Sequence, residues 1–167
     1  MSDTIQVRRA SRNDVQAIAE FHNRCRPDLP PEDEISILLS FVENGYLLAE
    51  WDAGICGMIA WRAENLIARA LDVYVDPDGE GSQIQTVAAS LLGTLHEQAC
   101  ELHCEVILLA GAAPAHEILD TAKEAGYAEV GEEALPLAWR EAISELRADS
   151  NMLLMKRLSD TRVRGPL

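Results

Sequence analysis

The chain is short of cations. Its 167 residues carry 14 Lys and Arg against 28 Asp and Glu, a formal net charge of −14. A field of that sign repels phosphate backbones, which argues against nucleic acid as a partner. Long apolar runs are missing as well, since none approaches the roughly 20 residues that a membrane-crossing helix needs. The opening Met1-Ser2-Asp3-Thr4 lacks the basic-then-apolar plan of a secretion signal. Cysteine is sparse, and Cys25, Cys56, Cys100 and Cys104 show no paired spacing, so they read as reduced thiols. There is no internal repeat and no low-complexity tract. The expectation is a cytoplasmic protein without a membrane segment. A single domain is expected over residues 1–160, with 161–167 as a flexible tail.

What is present is the mix of an ordinary globular protein, 48% apolar and 25% charged. Ile5–Arg9 alternates and reads as a strand. Ser11 followed three positions later by Asp14 has the form of a capping box, and Val15, Ile18, Ala19, His22 and Cys25 continue at helical spacing. Pro30 and Pro31, then Glu32, Asp33 and Glu34, suit the start of a second helix. Its apolar face is expected to be Ile35, Leu38, Leu39 and Val42, with Gly45 closing it. A hairpin is expected from Tyr46–Trp51 and Ile55–Arg62 around the Asp52-Ala53-Gly54 turn. Ala68–Val75 reads as a strand with Leu71, Val73 and Val75 on one face and Asp72 and Tyr74 on the other. A long helix follows from Ser82 to Leu102, then a buried strand at Glu105–Ala110 and a helix at Pro114–Ala125 stopped by Gly126. Two further strands are expected near Ala134–Trp139 and Met152–Leu158, joined by a helix-friendly segment over Arg140–Asp149.

The resulting order is β-α-α-β-β-β-α-β-α-β-β. The expected fold is α/β (α+β), a mixed, mostly antiparallel sheet with helices on both faces. That order resembles the GNAT N-acetyltransferase superfamily, and three stretches carry the likeness. Leu71-Asp72-Val73-Tyr74-Val75-Asp76-Pro77 is similar to the family's fourth strand, Lys123-Glu124-Ala125-Gly126-Tyr127 to the end of its fourth helix, and 152–158 to its last strand. The resemblance implies transfer of an acetyl group from acetyl-CoA to an amine of a small molecule or protein. It also implies that acetyl-CoA is held by Val73, Val75, Gly81, Ser82, Gln83, Ile84 and Gln85, at the end of that strand and the start of the third helix. Unpaired N–H groups and the positive dipole end of such a helix suit a pyrophosphate. The backbone N–H of Val75 is the matching donor to the thioester carbonyl.

Asp72 is the candidate base and Tyr74 the candidate acid. The segment Phe21–Val42 would wall the acceptor site, with Asp28, Glu32, Asp33 and Glu34 as acids. The sequence departs from the family's pattern in places. Glu80, Gln83 and Gln85 stand where that pattern prefers a cation or amide and small residues. Ala122 stands at the usual Tyr, and Ala112-Ala113-Pro114-Ala115 replaces the usual Asn. The second reading is therefore a catalytically inactive GNAT-like binding or regulatory module. His96, Cys100 and His103 share a helix face with Cys104 nearby, yet one helix cannot close a tetrahedron around zinc, and no metal is expected. An exposed last strand would offer an edge for a possible homodimer.

Overall fold

The computed structural model describes residues 4–52, 54–130, 135–147 and 153–158; the expected tail at 161–167 lies outside them. The first strand, β1 (Gln6–Arg9), leads through a 3-10 turn at Arg12–Asp14 into α1 (Val15–Cys25). The capping box is present: the Ser11 N–H donates to Asp14 Oδ2 at 2.7 Å and the Ser11 hydroxyl accepts from Asn13 N–H at 3.3 Å. The α2 helix (Glu34–Glu43) is capped by Asp33, whose carboxylate accepts from Ser36 N–H at 2.8 Å. Asn44 rather than Gly45 ends α2, and Gly45 opens the next strand.

The hairpin is β2 (Gly45–Trp51) and β3 (Gly54–Glu64), followed by β4 (Ile67–Val75) and the long α3 (Gly81–Glu101). Then come β5 (Val106–Leu109), a two-residue β6 (Ala112–Ala113), α4 (Ala115–Glu124), a two-residue β7 (Ala128–Glu129), α5 (Leu137–Arg147) and β8 (Leu154–Arg157). Gly126, at φ +99°, takes the left-handed position that closes α4, where a side chain is disfavoured.

The strands lie in the order β1-β2-β3-β4-β5-β8-β7, with β6 beside the upper half of β4. Among the described residues only the β4–β5 and β4–β6 pairings are parallel, so the sheet is mixed and mostly antiparallel as expected. One face is covered by α3 and α4, which bury Leu91, Leu95 and Ile118 against Ile59, Val73 and Ile107. The other face is shared: α1 and α2 cover Leu48, Met58 and Tyr74, while α5 covers Ile67 and Leu108 with Ala142 and Ile143. The sheet comes close to α3 at Gly57, where an added Cβ would meet Val87 Cγ1 at 2.6 Å and Leu91 Cδ1 at 2.8 Å.

Four sequence expectations need correction. The segment expected as a strand near 134–139 is helical from Leu137, since a short apolar run fits a buried helix turn as well as a strand. Its place in the sheet is taken by β7, so the strand β8 lies between β5 and β7 and is not an edge. The expected core face of α2 points outward: Ile35, Leu38, Leu39 and Val42 are exposed, and Ile37 is the buried residue of the helix. In β4, Ala60 pairs with Asp72 and Trp61 with Ala70, leaving Leu71 as the extra residue of a β-bulge. The bulge turns Leu71 away from the face of Val73 and Val75 and packs it against the α5 cluster.

Candidate active site

The bulge in β4 sets the site. It shifts the alternation of the strand: Ala68 and Ala70 face α3 before the bulge and Val73 and Val75 after it, which leaves Asp72 and Tyr74, two residues apart, on the face covered by α1 and α2. The Tyr74 hydroxyl donates to Asp72 Oδ1 at 3.0 Å. From α1, His22 meets the Tyr74 ring edge-on, with centroids 5.5 Å apart. Arg26, at the end of α1, is held by two bonds to Asp28 (Nε to Oδ1 at 3.0 Å and a terminal nitrogen to Oδ2 at 2.8 Å), and its guanidinium lies beside the Tyr74 hydroxyl. Asn23 fixes the loop before α2: it donates to Glu32 O at 2.9 Å and accepts from Glu32 N–H at 2.8 Å. That bracket brings Glu32 within electrostatic reach of Asp72.

Burial raises the Asp72 carboxyl above its ordinary range, opposed by the Tyr74 hydrogen bond and by His22 and Arg26. Burial, with the Asp72 charge beside it, likewise holds the Tyr74 phenol protonated well above the usual range. Tyr46, on β2, is pushed up by burial too, and its hydroxyl sits 2.6 Å from Ser40 Oγ on α2. Gly111 lies against this group from the other side. A Cβ there would meet Leu71 O at 2.8 Å and Asp72 Oδ1 at 3.2 Å, so the residue facing Asp72 must be glycine.

The start of α3 is built differently from the expectation. The helix begins at Gly81 rather than Ser82 with Glu80 as its N-cap, and Gln83 occupies N3 of a capping-box arrangement in which Gln83 Oε1 accepts from the Glu80 N–H at 3.1 Å. The helix's first intrahelical bond runs from Ile84 N–H to Glu80 O at 2.9 Å. Around Gly81 there is open space, with nothing within 4 Å of a would-be Cβ. Gln83 and Ile84 line a cavity of about 250 Å³ that reaches under the loop to Trp51, Cys56 and Val75. Ser82 and Gln85 face the opposite side, a groove of about 580 Å³ between α3 and α4.

Val73 and Val75 are not splayed from the neighbouring chain. Val73 N–H donates to Gly111 O at 2.9 Å, and the parallel pairing of Tyr74 with Ala113 directs the Val75 N–H at the Ala113 carbonyl. The expected free donor at Val75 is therefore engaged, because β6, a strand too short for its pattern to be read, continues the ladder past β5.

The remaining candidates do not join the cluster. Ala122 is fully buried in the core, and Tyr127, also buried, packs under Lys156 at 5.8 Å from its ring. His116 is exposed, 3.7 Å from Asp120. His96 and Cys100 are 3.7 Å apart, but among the described residues no three His, Cys, Asp or Glu side chains converge as a metal site would require. Trp61 is a core side chain on the α3 face rather than a groove wall. Sequence reasoning did not assign His22 and Arg26 to the site. His22 read only as one more position of an amphipathic helix, and its sole signal was a polar ring at a core-facing position.

No protein-family model matches the chain, and no curated protein sequence matches it. Solved structures do. The chain is similar to an acetyltransferase of the GNAT family from Staphylococcus aureus Mu50, at 16% identity and a TM-score of 0.71, covering 93% of this chain and 100% of that one. It is similar to the ribosomal-protein-S18-alanine N-acetyltransferase of Escherichia coli, at 13% identity and a TM-score of 0.70, covering 98% and 100%. It is also similar to N-acetylglutamate synthase from Neisseria gonorrhoeae complexed with coenzyme A and N-acetyl-glutamate, at 16% identity and a TM-score of 0.68. There the match covers 95% of this chain but only 36% of the synthase. The fold is therefore the GNAT N-acetyltransferase fold.

Proposed function

We propose that this chain is an N-acetyltransferase that moves the acetyl group of acetyl-CoA to the amine of a small molecule or protein. The observation that carries the reading is the Asp72–Tyr74 pair, a half-buried carboxylate beside a bulge of β4 with its proton affinity raised, facing α1 and the loop before α2. An acceptor ammonium must lose a proton before it can attack, and a carboxylate whose pKa is raised toward the working pH is a better acceptor for it. Tyr74 orients that carboxylate through its hydrogen bond. Its own phenol, held protonated by burial, serves as a positioning residue, a change from the acid role expected of it. Glu32, pinned by Asn23, adds negative charge that favours a cationic acceptor on the same side. The bound coenzyme A of the synthase and its N-acetyl-glutamate support the donor and the amine class.

The residues at the start of α3 fit acetyl-CoA in part. Gly81 and Ser82 offer N–H groups at a positive helix end with open space before them. Glu80 and Gln83 stand against the fit, because a carboxylate caps the same turn. Acetyl-CoA would supply the activated acyl carbonyl, with Val73, Val75, Gly81, Ser82, Gln83, Ile84 and Gln85 as the neighbours of its arm and phosphates.

A second reading, a non-catalytic module on the same fold, is favoured by one observation: both the capping turn at Glu80 and the Val75 N–H are already satisfied within the protein. One pair of measurements separates the two. A ligand at 100 times its Kd adds about 2.7 kcal/mol of stability, so millimolar acetyl-CoA should raise the melting temperature, and thiol release should appear with a panel of amines. No thermal shift and no thiol release would leave the non-catalytic reading standing.

A further inference from the structure

Tyr46, Ala60 and Asp72 stand in one row across β2, β3 and β4, since Tyr46 pairs with Ala60 and Ala60 with Asp72. The row lies on the face under α1 and α2. Ala60 raises only a methyl above the sheet, so no longer side chain of that row separates the phenol from the carboxylate. Glu32, in the loop before α2, joins them. The Tyr46 hydroxyl feels the charges of both Asp72 and Glu32, and Asp72 feels that of Glu32. Ser40 fixes the Tyr46 hydroxyl at 2.6 Å and itself accepts from Asn44 Nδ2 at 3.0 Å. Asp72 and Glu32 are half-buried, and among the described residues no hydrogen bond or salt bridge engages the Glu32 carboxylate or Asp72 Oδ2. The basic groups nearby are committed. Arg26 closes its Nε edge on Asp28 at 3.0 and 2.8 Å, with the rest of the guanidinium beside the Tyr74 hydroxyl. His22 holds Nδ1 3.4 Å from Asn23 Oδ1 and turns its ring edge to Tyr74.

We propose that this corner selects a primary alkylammonium with no carboxylate on the carbon bearing the amine, and that Tyr46 and Glu32 make the selection. The inference rests on the acetyltransferase reading and specifies its acceptor. A primary ammonium has three N–H donors. The corner offers three acceptors to match: Asp72 Oδ2, the Glu32 carboxylate and the Tyr46 oxygen. Two partly desolvated carboxylates repel one another, and a cation between them removes that cost. An α-amino acid carries a carboxylate into the same corner, where it meets like charges and, among the described residues, no uncommitted cation.

The test compares three amines: butylamine, norvaline (the same chain with a carboxylate beside the amine) and norvalinamide (the same branch without the charge). Thiol release from acetyl-CoA gives kcat and KM, and saturation-transfer NMR on the free protein reads binding alone. The KM of butylamine should lie at least about tenfold below that of norvaline, with norvalinamide nearer to butylamine. N-methylbutylamine, one donor short, should bind several-fold more weakly than butylamine. Glu32→Gln should raise the butylamine KM about five- to tenfold with little change in kcat, and should narrow the gap to norvaline. Tyr46→Phe should raise the butylamine KM several-fold and bring N-methylbutylamine level with butylamine. Capped lysine accepted alongside butylamine supports the inference with a side chain as the source; butylamine alone supports it with a free amine. Norvaline turned over as well as butylamine, or a gap unchanged in Glu32→Gln, would overturn the inference and leave the transferase standing. Selective binding of butylamine without thiol release would uphold the ammonium corner and remove the transferase. Neither binding nor thiol release would overturn both.

Discussion

Replacing Glu80 by Gln should move two observables in opposite directions. In the free protein the Glu80 carboxylate sits at the N-terminal end of α3, where a negative charge is favoured by the helix dipole by about 0.3–1 kcal/mol. Gln keeps the shape and an acceptor oxygen but removes the charge. For a domain of this size the melting temperature should fall by about 1–4 °C. Binding of acetyl-CoA should change the other way. A pyrophosphate at this helix end would lie about 5 Å from the carboxylate. At a near-aqueous dielectric, with salt screening, the repulsion amounts to about 1 kcal/mol. Its removal should tighten the Kd roughly fivefold, and Glu80→Arg should tighten it further. Isothermal titration of acetyl-CoA into the wild type and both variants, at fixed ionic strength, reads the second effect; a calorimetric melt of the free proteins reads the first. A Kd that stays constant or weakens across the series would refute the placement of the donor's phosphates at α3.

Three further outcomes are expected. Asp72→Asn should lower kcat by about 10²–10⁴-fold while raising the melting temperature at pH 8. The Asp72 pKa is raised in the folded state, so folding binds the proton more tightly and stability falls as pH climbs through that range. The stability gain in Asn should therefore vanish below the ordinary carboxylate pKa, and a gain that persists there would exclude this cause. Tyr74→Phe should shift the acidic limb of the kcat/KM profile upward, because the lost O–H···O bond was lowering the Asp72 pKa; an unmoved limb would separate Tyr74 from the base. Gly57→Ala should cost about 1–3 kcal/mol from its close approach to Val87 and Leu91, read by urea unfolding, with Val87→Ala in the same chain recovering part of the loss.

Local signals carried much of the fold. The Ser11–Asp14 box and the Gly126 stop depend on neighbours in sequence and stand where their residues indicate, as does the α3 stripe expected from Ile84 to Leu102, except that it is buried only as far as Ala99 and Leu102 is exposed. Misreadings arose where a pattern has two physical meanings. The Ile35-Leu38-Leu39-Val42 periodicity reports an apolar face without saying whether the molecule's own core or something else covers it. The run at 134–139 is too short to separate strand from helix. Strands of two residues, such as β6 and β7, have no period at all. At the site, Asp72 and Tyr74 were legible because they share one strand, whereas His22, Arg26 and Gly111 reach them only through tertiary packing. The bulge at Leu71 that aims Asp72 is likewise a property of the β3–β4 register, not of any residue type.

The ladder between β4 and β6 has an energetic consequence for any ligand that needs the Val75 N–H. Such a ligand would have to displace the Ala113 carbonyl, so it would bind only the fraction of molecules in which these two strands have parted. Its apparent affinity would be the intrinsic one diminished by that fraction. Weakening β6 at a distance from the ligand would then improve binding without adding a contact, and the rate of strand parting would set an upper limit on how fast the complex forms.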